Sequence, residues 1–241
     1  MDNLKISAFI RLRNAQHTIK SCILSIIDDI DEIIVIDNMS TDNSISIIRQ
    51  LECKKIKIHV WPFKLVTPWT KEAHELKEGD PRSKITFSNF AMEQCSNDWV
   101  LKWDSDMVMV PDGMKAILAT KFTKPFLALG GYEVISPSWR TSDFSGEEPR
   151  FWNRTLDGGL KFQKYFDTGG EIIWSNKWDM GCKSWGPWYE SLGKGPFWMH
   201  YGWVRACDPQ RPYKNFGLTP LDIPHHPEIQ KNLDNIFSQK L

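Results

Sequence analysis

Apolar positions change their period along this chain, and each change marks an element. Residues 5–13, Lys-Ile-Ser-Ala-Phe-Ile-Arg-Leu-Arg, read as a strand. Ile19, Cys22, Ile23, Ile26, Ile27 and Ile30 then recur at helical spacing, with Thr18 as the expected N-cap. Residues 32–37 form a second strand, and the unbroken run Ile33-Ile34-Val35-Ile36 suits a strand covered on both faces. It ends in Asp37-Asn38-Met39-Ser40-Thr41-Asp42, a polar turn full of helix-capping types. Ile45, Ile48 and Leu51 predict another short helix, and alternating Ile56, Ile58 and Val60 a third strand. This β-α-β-α-β order predicts an α/β fold with a mostly parallel, Rossmann-type sheet flanked by helices. Ligands of such sheets bind at the carboxyl ends of the strands.

Residues 62–83 are irregular in pattern, with Pro62, Pro68, Gly79 and Pro81. A helix is expected over 83–95 and a strand over 99–103, closed by Asp104-Ser105-Asp106. Residues 107–110 read as extended, and 112–121 as a helix entered through Pro111. After Pro125 the character changes. Segments 126–135, 150–154, 160–166, 171–175 and 197–204 read as strands between Gly- and Pro-rich loops. From Pro227, a final helix sets Ile229, Leu233, Ile236 and Phe237 on one face. The simplest organisation is a single domain over 1–241, with a nucleotide-binding half (1–125) and a smaller β-rich acceptor half (126–241).

Composition narrows the class. With 30 basic and 30 acidic residues, the chain has no broad electrostatic attraction for nucleic acid. No segment approaches the roughly 20 apolar residues that span a bilayer, and the polar start is unlike a signal peptide. Five cysteines without a Cys-x-x-Cys pair suggest reduced thiols in a cytoplasmic protein. Of 12 tryptophans, eight lie from Trp139 to Trp203, as an aromatic core or as a platform for a sugar or base. A peripheral membrane contact through this half is compatible with the pattern, but no basic amphipathic helix demands it. Oligomeric state leaves no mark in the sequence.

Asp104-Ser105-Asp106 carries the strongest local chemistry. Carboxylates one residue apart after an apolar strand can share a hard divalent cation, Mn2+ or Mg2+, which often bridges phosphates. An Asp-x-Asp by itself is also a common solvated turn. Asp37 has two readings as well: a hydrogen bond to a base or ribose, or a cap on the following turn.

Several ordered segments together resemble the opening of family 2 glycosyltransferases. They are Phe9-Ile10-Arg11-Leu12-Arg13-Asn14, the helix with Cys22 and Ser25, the strand ending Asp37-Asn38-Met39-Ser40-Thr41-Asp42, Ser88-Asn89-Phe90-Ala91, and the run from Asn97 to Asp106. The resemblance spans about residues 5–120. It implies a GT-A-like fold and an inverting transfer from a nucleoside diphosphate sugar donor to a glycan or lipid-linked saccharide acceptor. It further implies that Asp37 recognises the base, that Asp104 lies near ribose and metal, and that Asp106 binds the metal. Arg11, Asn14 and Asn89 would line the nucleotide pocket. Two departures are visible: Ala15-Gln16 stands where Glu often follows the Asn, and Ser88 where Arg is common.

Some GT-A enzymes complete the metal shell with a C-terminal histidine, a role that falls to His200; the alternative is a histidine of the aromatic core. An inverting enzyme needs an acidic base. Trp185-Gly186-Pro187-Trp188-Tyr189-Glu190 is similar to a Trp-Gly-x-Glu-Asp pattern of some relatives, which makes Glu190 one candidate and Asp179 another. Asp167, Glu171, Glu147 and Glu148 are the remaining acids of that region. Two other readings stay open. One is a non-catalytic sugar-binding module on a degenerate transferase scaffold. The other is a nucleotidyltransferase, which the absence of a Gly-rich phosphate loop after the first strand disfavours.

Overall fold

The computed structural model describes residues 4–68, 70–120, 126–136, 138–141, 145–155, 159–165, 170–175, 189–191, 197–201, 218–220 and 223–238. Its first half alternates as expected: β1 (Ile6–Leu12), α1 (Ile19–Leu24), β2 (Glu32–Asp37), α2 (Ser44–Arg49) and β3 (Ile56–Val60). Then come α3 (Lys71–Glu75), α4 (Lys84–Glu93), β4 (Trp99–Asp104), β5 (Met107–Met109) and α5 (Gly113–Ala119). The second half is built from β6 (Phe126–Ser136), β7 (Trp139–Thr141), β8 (Ser145–Asn153), β9 (Leu160–Tyr165), β10 (Gly170–Ser175), β11 (Tyr189–Ser191), β12 (Trp198–His200), β13 (Leu218–Pro220) and α6 (Pro227–Ser238).

The main sheet runs β13-β7-β6-β8-β4-β1-β2-β3. Its β4-β1-β2-β3 section is parallel, but β8 joins β4 and β6 antiparallel. The sheet is therefore mixed rather than purely parallel. Antiparallel neighbours need no helical crossover, and β6 and β8 are not separated by one. β9 and β10 form a separate antiparallel pair.

Both faces of the parallel section are covered, which explains the continuous apolar run of β2. Ile33 and Val35 face a core shared with Ile19, Cys22 and Ile23 of α1, Ile48 of α2 and Ile117 of α5. Ile34 and Ile36 face the other core, with Phe87, Ala91 and Met92 of α4 and Phe162 of β9. Phe9 meets Trp152 and Phe162 edge-on at 6.3 and 6.2 Å. Each such buried side chain stabilises by about 1.5–3 kcal/mol. A third cluster, Val108, Val134, Met199 and Tyr201, is closed by Ile229 and Leu233 of α6.

The differences from the sequence pattern have local causes. α1 stops at Leu24; the apolar positions Ile26 and Ile27 continue in turns, and Ile30 lies just beyond them. Thr18 is the N-cap residue, but its hydroxyl donates to the Ser105 carbonyl at 2.9 Å instead of capping the helix. The segment expected to be irregular contains α3, with Thr70 Oγ1 accepting from Ala73 N. Of the expected strand 197–204, only Trp198–His200 is strand among the described residues. Of the eight clustered tryptophans, the side chain of Trp152 is described and is fully buried in the core. Cys22, Cys53 and Cys95 are free thiols. Among the described residues no helix is long and apolar enough to cross a membrane.

Candidate active site

Three polar residues lie at or next to the carboxyl ends of neighbouring strands. Arg11 lies opposite Ile36 and Asp104 in the two pairings of β1, and Asp37 ends β2 opposite Leu12. Both pairings are parallel, so the chain must bring these ends to one edge.

Asp104 is gripped by two guanidinium groups. Arg11 Nη2 donates to its Oδ1 at 2.7 Å, and Arg150 Nη1, from β8, donates to its Oδ2 at 2.7 Å. Arg11 is held in turn by Ser88, whose Oγ accepts from Nη1 at 3.0 Å. Burial opposes the Asp104 charge, but Arg11 and Arg150, with Lys102 and Lys84 behind them, hold its carboxyl well below the usual carboxylate range.

Asp106 is on the other side of the turn. Its side chain is buried, and His200 Nε2 approaches Oδ1 at 3.3 Å. The His200 Nδ1 lies 2.8 Å from both carboxylate oxygens of Glu133. Register produces this contact, because β12 pairs with β6 so that His200 is beside Glu133. Burial disfavours the imidazolium, yet the charges of Asp106 and Glu133 outweigh it and raise its pKa to about 10. The turn itself is tied down by α1, since Thr18 Oγ1 donates to Ser105 O and Cys22 Sγ to Asp104 O. Tyr201 N donates to Asp106 O at 2.8 Å.

The nucleotide-side residues divide. Asp37 Oδ1 accepts from Ser40 N at 3.1 Å, so it does cap its own turn, at the strand edge beside Leu12. Asn14 has a left-handed φ of 48° that asparagine tolerates. Its N–H donates to Ser40 Oγ and its Oδ1 accepts from Thr41 N, which stitches the loop after β1 to the loop after β2. Asn89 is not brought to this edge cluster. Its amide makes both bonds to Phe162 of β9, Nδ2 to O at 2.9 Å and Oδ1 from N at 2.6 Å. Glu190 lies in β11 beside Leu127, with its side chain outside the described residues, and Asp179 lies outside them entirely.

The family model described as "Glycosyl transferase family 2" matches residues 7–64. These residues hold β1, α1, β2, α2, β3 and the Asp37 turn. An uncharacterized glycosyltransferase of Rickettsia felis is 34% identical over 102 residues, 42% of this chain and 29% of that protein. One of Rickettsia bellii is 30% identical over 127 residues, 52% of this chain and 36% of that protein. The chain thus spans about a third of the length of these curated relatives. Among solved structures, S. aureus TarS 1-349 is similar at 13% identity and TM-score 0.47, covering 84% of this chain and 62% of that one. Glucosyl-3-phosphoglycerate synthase from Mycobacterium tuberculosis, in complex with Mn2+, UDP and phosphoglyceric acid, is similar at 20% identity and TM-score 0.38, covering 54% and 44%.

The matched segment ends before the acidic turn, so the donor set of that turn rests on its own chemistry. Asp106 and His200 offer oxygen and nitrogen within 3.3 Å of each other, and Glu133 fixes the far side of the imidazole. A carboxylate behind a ligating histidine is the usual outer partner in metal sites. An oxygen and a nitrogen at this spacing supply two donors of the kind a divalent ion takes. Asp104, assigned to the same set, is turned to the arginines, and among the described residues no group of three or more His, Cys, Asp or Glu side chains is gathered at ligand distance. Glu133 and Arg150 escape sequence reading. Glu133 is the one charge of β6, Arg150 follows Glu147 and Glu148 in β8, and no local spacing marks either.

Proposed function

We propose that this chain forms the centre of an inverting glycosyltransferase that works with Mn2+ or Mg2+. It moves a sugar from a nucleoside diphosphate sugar to a hydroxyl of a glycan or lipid-linked saccharide, in the service of polysaccharide biosynthesis. The observation that carries the reading is the meeting of Asp106 and His200, from opposite halves of the chain, at the carboxyl edge where Asp37 and Arg11 also end. Asp106, His200 and Asp104 would hold the ion. When bound, the ion supplies neutralisation of the charge that builds on a departing diphosphate.

In this reading Asp37 accepts a hydrogen bond from the base, and Asn14 orders the loop that borders it. Arg11 faces the diphosphate. Asn89 contributes from one shell out, through the backbone of Phe162. In the acceptor half, Glu190 or Asp179 takes the proton of the acceptor hydroxyl while its oxygen bonds to the anomeric carbon. The nucleoside diphosphate leaves with the electrons of the broken bond. Residues 1–125 serve the donor and 126–241 the acceptor. Free thiols at Cys22, Cys53 and Cys95 suit a reducing compartment, and we place the enzyme in the cytoplasm, with a peripheral membrane contact if the acceptor is lipid-linked.

The test is release of free nucleoside diphosphate from UDP-, GDP-, CDP- and dTDP-sugars without acceptor, with and without Mn2+. One donor should be hydrolysed slowly and only with the ion. Asp106→Ala should reduce that release to background; unchanged release would remove Asp106 from the site. Glycan binding with no affinity for any nucleotide sugar would replace the enzyme by a sugar-binding module.

A further inference from the structure

On the α4 face of the sheet, three cations lie beneath two acids. The side chains of Arg150, Arg11 and Lys102 are 4%, 9% and 10% exposed. The acids that face them are the outer members, Asp104 at 24% and Glu148 at 53%. Arg150 Nη2 meets Glu148 Oε2 at 2.8 Å, and Lys102 Nζ lies 3.6 Å from the same oxygen. Asp104 presents one oxygen to each guanidinium, both at 2.7 Å. This is how the two oxygens of one phosphoryl group bridge a pair of arginines. Arg11 keeps its orientation without Asp104, because Ser88 Oγ accepts from Nη1.

Buried cations are costly to leave uncompensated, so some anion must stay within reach of them. Nothing requires that anion to be Asp104 at all times. It closes β4 at the edge where ligands of such sheets bind, and it is more exposed than either guanidinium it contacts. We propose that Arg11 and Arg150 form a clasp for the donor's diphosphate, and that the Asp104 carboxylate is its resident stand-in, displaced when the diphosphate arrives. The displaced carboxylate then becomes available to the ribose and the cation. This rests on the reading of the donor as a nucleoside diphosphate sugar, and it adds Arg150 as a binding residue for that group.

The competition gives an outcome that a purely structural ion network does not. Inorganic pyrophosphate is titrated calorimetrically into the protein in EDTA, so that no metal contributes. Asp104→Asn, which removes the internal competitor, should bind pyrophosphate several-fold more tightly than wild type. Arg150→Lys keeps the charge but loses the fork, and should bind it about tenfold more weakly. Affinity in Asp104→Asn equal to or below wild type overturns the stand-in. If that variant does not fold, unchanged pyrophosphate affinity in Arg150→Lys overturns the clasp. The two readings fail separately. A protein that shows both pyrophosphate effects but binds no nucleotide sugar in Mn2+ keeps the clasp and loses the donor. One that binds a nucleotide sugar with affinity indifferent to both substitutions keeps the donor and loses the clasp.

Discussion

His200 is flanked by Asp106 through Nε2 and by Glu133 through Nδ1, so its proton affinity is a property of three side chains. Its pKa of about 10 in the folded chain lies above the ordinary 6.5. The sign follows from linkage: the charged imidazole contributes stability that is fully present below pH 6.5 and is lost as pH rises through about 10. Two outcomes belong to this scale. In the metal-free protein, imidazole resonances followed by NMR should keep His200 protonated through neutral pH. Glu133→Gln should lower its midpoint, and a midpoint that does not move would detach Glu133 from the site. A ligating imidazole must also give up its proton, so Mn2+ affinity measured at constant ionic strength should rise between pH 6.5 and 8.5.

Elements are fixed to one another by polar bonds at both ends of the parallel section. At the amino edge, Glu32 begins β2 and accepts from Ser7 Oγ of β1 at 2.6 Å and from Ser96 N at 2.8 Å, just before β4. It also pairs with Lys57 of β3. Burial would raise its pKa, but these donors outweigh it and lower it to about 2. The contribution of Glu32 to stability is thus present above pH 4.5 and lost as pH falls through about 2. Glu32→Gln should cost about 2 kcal/mol at neutral pH, and the gap from wild type should close toward pH 2 in acid-unfolding curves. On the α4 face, Asn89 fastens β9 by two backbone bonds. Asn89→Leu should lower stability by about 2 kcal/mol, read by thermal melting. Nucleotide-sugar affinity in the surviving folded protein should change less than in Asp37→Ala.

At the scale of the whole molecule, the sheet does not respect the division at residue 125. β4 of the first half pairs with β8 of the second, Trp99 stacks on Phe151 at 5.2 Å, and Trp152 lies in the core that α4 closes. A fragment of residues 1–125 should therefore fail to fold as a cooperative unit. A sharp melting transition in that fragment, followed by circular dichroism, would contradict this. The proposed clasp and the proposed metal ligands follow the same logic, since Arg150 and His200 come from the second half while Arg11, Asp104 and Asp106 come from the first.

The hydrophobic pattern by itself determined β1, β2, β3 and β4 almost to the residue, because β2, buried on both faces, must be an unbroken apolar run and β3, partly exposed, shows the alternation of a strand with one covered face. Polar residues at the ends of β2 and β4 stood out against those runs, which is how Asp37, Asp104 and Asp106 became candidates, whereas Arg11 became one through the family resemblance. The shorter strands of the second half were less so. Gly, Pro and aromatic residues bound them, and β7, β11 and β13 have three residues each, too few to show a period. The sheet's mixed pairing was likewise hidden, since direction depends on which strands meet. Only the tertiary structure decided that Asp104 faces two arginines rather than open solvent, that Asn89 holds β9, and that Glu133 stands behind His200. Charge pairing depends on distance in space, and the register of β12 against β6 and of β8 against β4 sets those distances.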